Sequence, residues 1–152
     1  MSSKGSKERP SIFLQHTSIH EAGHILMCLK QDVVVHYAFI RESKPGIPSA
    51  GETFFEDTPD KDKNLRLTIA GMIALKVLWD NRQLSWKDGS HSDIREAMKI
   101  SSVREFEVAK EEVERYFREP KTQTHLNKIA ALLLEKRAVN RDDIFDALDH
   151  KN

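Results

Sequence analysis

The chain is short of cysteine: Cys28 stands alone among 152 residues. A lone thiol excludes an internal disulfide and points to a reducing compartment. There is no excess of charge, since 24 Lys and Arg face 24 Asp and Glu. Nothing in that balance asks for nucleic acid or an anionic membrane surface as a partner. Hydrophobic residues reach only 39% and aromatic residues 7%. No apolar run approaches the roughly 18 to 20 residues that cross a bilayer. Residues 1–10 are polar and lack the apolar segment of a signal peptide, and they read as a disordered tail. The expectation is a cytoplasmic protein with one domain over residues 11–150, long enough to bury a real core.

What is present is the run His20-Glu21-Ala22-Gly23-His24, set among apolar residues from Ile19 to Leu29. Histidines four apart lie on one face of a helix, so two imidazoles can reach one metal ion. Glu21 then sits beside the ion without ligating it, where a carboxylate can take a proton from metal-bound water. The pattern points to a zinc peptidase of the HExxH type. Gly23 costs about 1 kcal/mol in a helix interior relative to Ala, which a close approach by another backbone or by the metal site would explain.

Around this motif the chain reads as mainly α with a small β-sheet. A helix starting at Pro10 or Ser11 runs to about Lys30, apolar round most of its circumference and therefore buried. Val33 to Ile40 is β-branched and aromatic and reads as a strand. Ser43 to Ala50 is a Pro- and Gly-containing loop. Gly51 to Phe55 is a second short strand, and the two form a small sheet beside the first helix. Lys61 to Trp79 has helical spacing, and Asp80 to Ser90 is a loop carrying Trp86. A third helix starts at Ser90 or Ser92 and either breaks near Ser101-Ser102 or continues to Phe117, with Pro120 ending it. Further helices cover about Thr122 to Lys136 and Arg141 to Leu148, the last capped by Asn140.

A catalytic zinc site usually takes three protein ligands and leaves one position for water. The arrangement with a third histidine six residues after His24 is excluded, because position 30 is Lys30. Pattern alone leaves Asp93, Glu52, Glu56, His91 and His16 as candidates. Asp93 is favoured because it opens a helix after a loop and can point back across the domain.

The chain resembles the zinc peptidase domain of the FtsH family of ATP-dependent proteases. The resemblance rests on Ile19-His20-Glu21-Ala22-Gly23-His24-Ile25-Leu26, on Gly51-Glu52-Thr53-Phe54-Phe55, and on His91-Ser92-Asp93-Ile94-Arg95-Glu96-Ala97. These segments are similar, in the same order, to the family's motif helix, its Gly-x-Thr strand and its Asn-Asp segment. Ile69 to Ala74 resembles a degraded form of the family's Gly-Gly-Arg-Ala-Ala-Glu helix, with Met72 and Leu75 in place of the arginine and the glutamate. Val139 to Leu148 falls where the family closes its domain with a small helix. The resemblance implies an FtsH peptidase-like fold, one zinc ion held by His20, His24 and Asp93, and Glu21 as the general base. It implies that Gly51, Glu52, Thr53, Phe54 and Phe55 form an edge strand against which an extended substrate peptide lies.

Only about ten polar residues precede the first helix, where the family has its ATPase module and membrane anchor. The expectation is therefore an ATP-independent metallopeptidase acting on peptides, unfolded segments or one partner protein. Its assembly is either a homo-oligomer or a pairing with a separate unfoldase. One alternative is a proteolytically silent FtsH-like domain that binds a partner protein. Another is a repressor-cleaving zinc peptidase with Glu52 or Glu56 as third ligand. Cys28 reads as core, His16 as a surface histidine at a helix end, His91 as loop polarity, and Trp79 as packing. The charge-dense run Arg104 to Arg118 reads as a solvated helix face.

Overall fold

The computed structural model describes residues 10–42, 50–79 and 90–149. The expected tail up to position 9, the loops at 43–49 and 80–89 with Trp86, and the side chain of His91 lie outside the described residues. The first helix, α1 (Ile12–Lys30), begins at Ser11, whose Oγ accepts from the Leu14 backbone N–H at 3.0 Å. That bond satisfies one of the N–H groups a helix start leaves without a partner. Leu14, Ile19, Ala22, Ile25, Leu26, Met27 and Cys28 are all buried, on every side of the helix. The apolar wrap read from the sequence thus corresponds to a helix covered all round.

Three neighbours supply that cover: α2 (Lys61–Trp79), α5 (Pro120–Lys136) and a small sheet. The crossing of α1 with α2 explains Gly23. A Cβ there would lie 2.6 Å from the Ala70 carbonyl oxygen and 2.7 Å from the Ala74 Cβ. Ala70, Gly71 and Ala74 present little more than backbone, so the two helices approach closely at the level of the histidines.

The sheet has three antiparallel strands in the order β2-β1-β3, namely β1 (Val35–Arg41), β2 (Ala50–Phe55) and β3 (Ala138–Asn140). Two strands were expected. The third is only Ala138-Val139-Asn140, too short to carry a periodicity of its own. Tertiary contact places it: Arg137 turns the chain out of α5 at φ 67°, and its carbonyl accepts from the Ile40 N–H at 2.8 Å. In β1 the register shifts between Val35 and Tyr37, so that Val35 faces Phe55 while Tyr37 faces Phe54. This bulge at His36 keeps Val35, Ala38 and Ile40 buried although simple alternation would split them. It also makes the strand read poorly as a period-two pattern.

The charged run forms α4 (Val103–Phe117), which buries the stripe Phe106, Ala109, Val113 and Phe117 and exposes the rest. It is separate from α3 (Ser90–Ile100), because Ser102 and Glu105 close a reciprocal capping box at its start. The helix ends at Phe117, and Glu119 before Pro120 is extended, as expected. Pro120 also opens α5, where the missing N–H of proline costs nothing. A final helix, α6 (Arg141–Asp149), is capped by Asn140, whose Oδ1 accepts from Asp143 N–H at 2.9 Å. All of these elements share one apolar core. No described helix is long and apolar enough to cross a membrane.

Candidate metal centre

His20 and His24 project from α1 toward α2 and the start of α3. His24 is fixed from behind: its Nδ1 lies 2.8 Å from the Leu67 carbonyl oxygen. A carbonyl can only accept, so Nδ1 carries the proton and Nε2 presents a lone pair. His20 lies over Gly71, where a Cβ would come within 2.7 Å of its Nε2 and Cδ2 and 2.8 Å of its carbonyl oxygen. The glycine in α2 is thus the space in which the His20 ring sits. Asp93, in the first turn of α3, brings its Oδ2 to 3.1 Å from His20 Nε2 and 3.7 Å from His24 Nε2. The two Nε2 atoms are 3.2 Å apart.

Three donor atoms therefore converge, and His20, His24 and Asp93 form a group that could hold a metal ion among the described residues. The spacing can be tested against chemistry. Zinc–ligand bonds of about 2.0 to 2.2 Å at tetrahedral angles put ligand atoms about 3.3 to 3.6 Å apart. Separations of 3.1, 3.2 and 3.7 Å bracket that range, each lying just outside it, so small shifts of the side chains would bring them onto it. Asp93 Oδ2 is buried and has no well-formed hydrogen bond among the described residues, and neither has His20 Nδ1. Buried polar atoms without partners are uncommon in folded proteins. An acceptor facing two imidazole lone pairs is an arrangement that a cation satisfies.

Without a cation, protons must do that work. Burial opposes charging His24, but the Asp93 and Glu21 carboxylates outweigh it and raise its pKa to about 9. Burial likewise favours neutral Asp93, yet the two imidazoles hold its pKa down to about 2. The site has room and charge for one positive centre, supplied either by a proton or by a metal.

Glu21 is 5% exposed and stands outside the ligand group. Its Oε1 accepts a 2.6 Å hydrogen bond from the Thr53 hydroxyl on β2. Gly51 shares that face, and a Cβ on it would lie 3.0 Å from Glu21 Cγ and 2.8 Å from Thr17 Cγ2. Thus β2 is pressed against α1 beside the carboxylate. Among the described residues β1 is its only strand neighbour, which leaves its other edge without a pairing strand. Phe54 faces the opposite side, stacked on Tyr37 with ring centroids 4.5 Å apart. Phe55, opposite Val35, packs against the core.

The other candidate ligands lie elsewhere. Glu52 is exposed on the outer face, and Glu56 is 3.6 Å from His36 at the surface. His16 is not a surface histidine: it is 4% exposed, edge-on to Trp79 with centroids 5.6 Å apart. The reason is the apolar wrap of α1, which buries the turn before His20 as well. Cys28 is core, and burial pushes its thiol up to about 12. The residue that sequence reasoning missed in part is Thr53. The sequence marks it only as part of a substrate-binding edge strand, whereas its side chain reaches Glu21. The spacing of Gly51 and Thr53, two apart on one face of a strand, was the available signal.

Comparison with models of protein families finds no match for this chain, and comparison with curated proteins finds none either.

Proposed function

We propose that the chain is a zinc metallopeptidase of the HExxH type, with an FtsH-like peptidase fold. His20, His24 and Asp93 are the metal ligands and Glu21 is the general base. The observation that carries this reading is the convergence of three donor atoms, on side chains 10 to 20% exposed, close to zinc-ligand spacing and beside a carboxylate that is not one of them. Zinc bound there would polarise a carbonyl and acidify water to a pKa of about 7. Glu21 accepts the proton of the attacking water and passes it to the leaving amine. The Leu67 carbonyl keeps the Nε2 atom of His24 aimed at the site.

The free edge of β2 is suited to an extended peptide. Main-chain hydrogen bonds there accept any sequence, while alternate side chains meet different surroundings. Hydrolysis by these residues itself consumes no nucleotide, and we read the enzyme as ATP-independent. Its substrates are peptides, unfolded segments or a partner protein laid along β2.

Glu21→Gln tests the assignment. The amide keeps the shape of the carboxylate but cannot take a proton. The variant should retain zinc and lose cleavage of a peptide library by about 10²- to 10⁴-fold. If wild-type protein with one zinc per chain cleaves neither peptides nor unfolded proteins, the partner-binding alternative replaces the enzyme.

A further inference from the structure

We propose that Thr53 is a positioning residue, whose hydroxyl holds the Glu21 carboxylate off the metal and leaves one oxygen free to act as base. This inference rests on the peptidase reading and concerns how its base is kept in place. A buried carboxylate one residue from a ligating histidine has two possible fates. It can swing in as a further ligand, or it can be held back by another partner. Here Thr53 Oγ1 donates to Glu21 Oε1 at 2.6 Å, a short bond of the kind a charged acceptor forms. Among the described residues, that is the hydrogen bond shown on the Glu21 carboxylate.

The donor is itself well anchored. Threonine is branched at Cβ and has few rotamers. Thr53 is paired across the sheet with the fully buried Ala38. Two residues back, Gly51 leaves the space that the Glu21 stem occupies. The strand therefore grips the side chain twice: Gly51 admits its Cγ, and Thr53 engages Oε1. A carboxylate has two acceptor oxygens, so Oε2 stays available for a proton. The same strand carries the edge against which a peptide would lie, so base and substrate are referenced to one element.

Thr53→Val keeps the shape and removes the donor, whereas Thr53→Ser keeps the donor and removes a methyl group. In the zinc-loaded protein, Thr53→Val should lower kcat by about 10- to 100-fold with KM little changed. Thr53→Ser should restore most of that loss. A second readout does not depend on turnover. With cobalt in place of zinc, Thr53→Val should alter the visible absorption bands as Glu21 enters the coordination sphere. The change should vanish when Glu21→Ala is added. Wild-type kcat and an unaltered cobalt spectrum in Thr53→Val would overturn the proposal, and so would a Thr53→Ser variant as impaired as the valine. If the wild type binds cobalt but cleaves nothing, the peptidase reading fails, and the spectrum alone decides the role of Thr53. If no metal binds, crystal structures decide: a Glu21 carboxylate that stays in place in Thr53→Val refutes the clamp.

Discussion

Two polar clusters flank α2, and they are built on opposite terms. On the side facing α4, opposite charges pair with one another. Arg66 donates to Glu112 at 3.1 Å and to Gln31 at 2.9 Å, and Lys76 and Arg118 each reach Glu114 at 2.8 Å. Lys76 and Arg118 hold Glu114 below its ordinary range. On the side facing α1 and α3, the acceptors His20, His24 and Asp93 face one another, and the buried Asp93 Oδ2 at their meeting point has no well-formed hydrogen bond among the described residues. Opposite charges near the surface complete themselves and need nothing more. Buried acceptors turned toward a common point do not, and that asymmetry is why the second cluster reads as a site and the first as structure.

Adding metal should separate the clusters most strongly. Zinc at about 100 to 1,000 times its Kd should stabilise the wild type by about 2.7 to 4.1 kcal/mol, read as a rise in Tm. No such gain should occur in His24→Ala. Gly71→Ala should come next. Its Cβ would overlap His20, so the variant should lose about 1 to 3 kcal/mol of stability and bind zinc more weakly. Both effects are measurable in one titration followed by thermal unfolding.

The pH dependence sharpens the same contrast. His24 in the metal-free protein is raised from 6.5 to about 9. Its contribution to stability is therefore complete below pH about 6.5 and is lost as pH rises through about 9. Asp93 shifts the other way, so its share is present above 3.8 and lost as pH falls toward 2. Zinc must displace the His24 proton, so zinc affinity should rise by up to about tenfold per pH unit and level off near pH 9. Affinity that does not change between pH 6 and 8 would contradict the proton-for-metal exchange. The smallest effect belongs to the other cluster. Glu112→Ala should cost less than about 1 kcal/mol and leave zinc binding unchanged, because its pair with Arg66 is solvent-exposed.

Much of this arrangement was legible in local sequence. The motif helix and the span Lys61–Trp79 follow from periodicity, which acts over a few positions, while the Ser11 cap and the break at Ser102 were each one of two readings the sequence left open. What escaped depends on contacts between distant segments. β3 exists because Arg137 turns the chain against β1, His16 is buried because α1 is enclosed, and the bulge at His36 breaks the alternation that would have marked β1 cleanly. The third donor was the hardest case. Pattern made Asp93 the favourite among several candidates, and a family resemblance singled it out. Its position beside His20 and His24 is set by how α3 packs on α2, which no short stretch encodes. The small residues of Ile69 to Ala74 likewise looked like the remnant of a motif. In the fold they are the surface that lets α1 approach and gives His20 its place.

We propose that three side chains from two helices hold one metal ion. Metal analysis of purified wild-type protein and of Asp93→Ala tests it most directly. The wild-type chain should carry about one zinc, which Asp93→Ala should lose with its fold retained by circular dichroism. A metal-free wild type after incubation with zinc, or an Asp93→Ala variant that keeps its full complement, would contradict it.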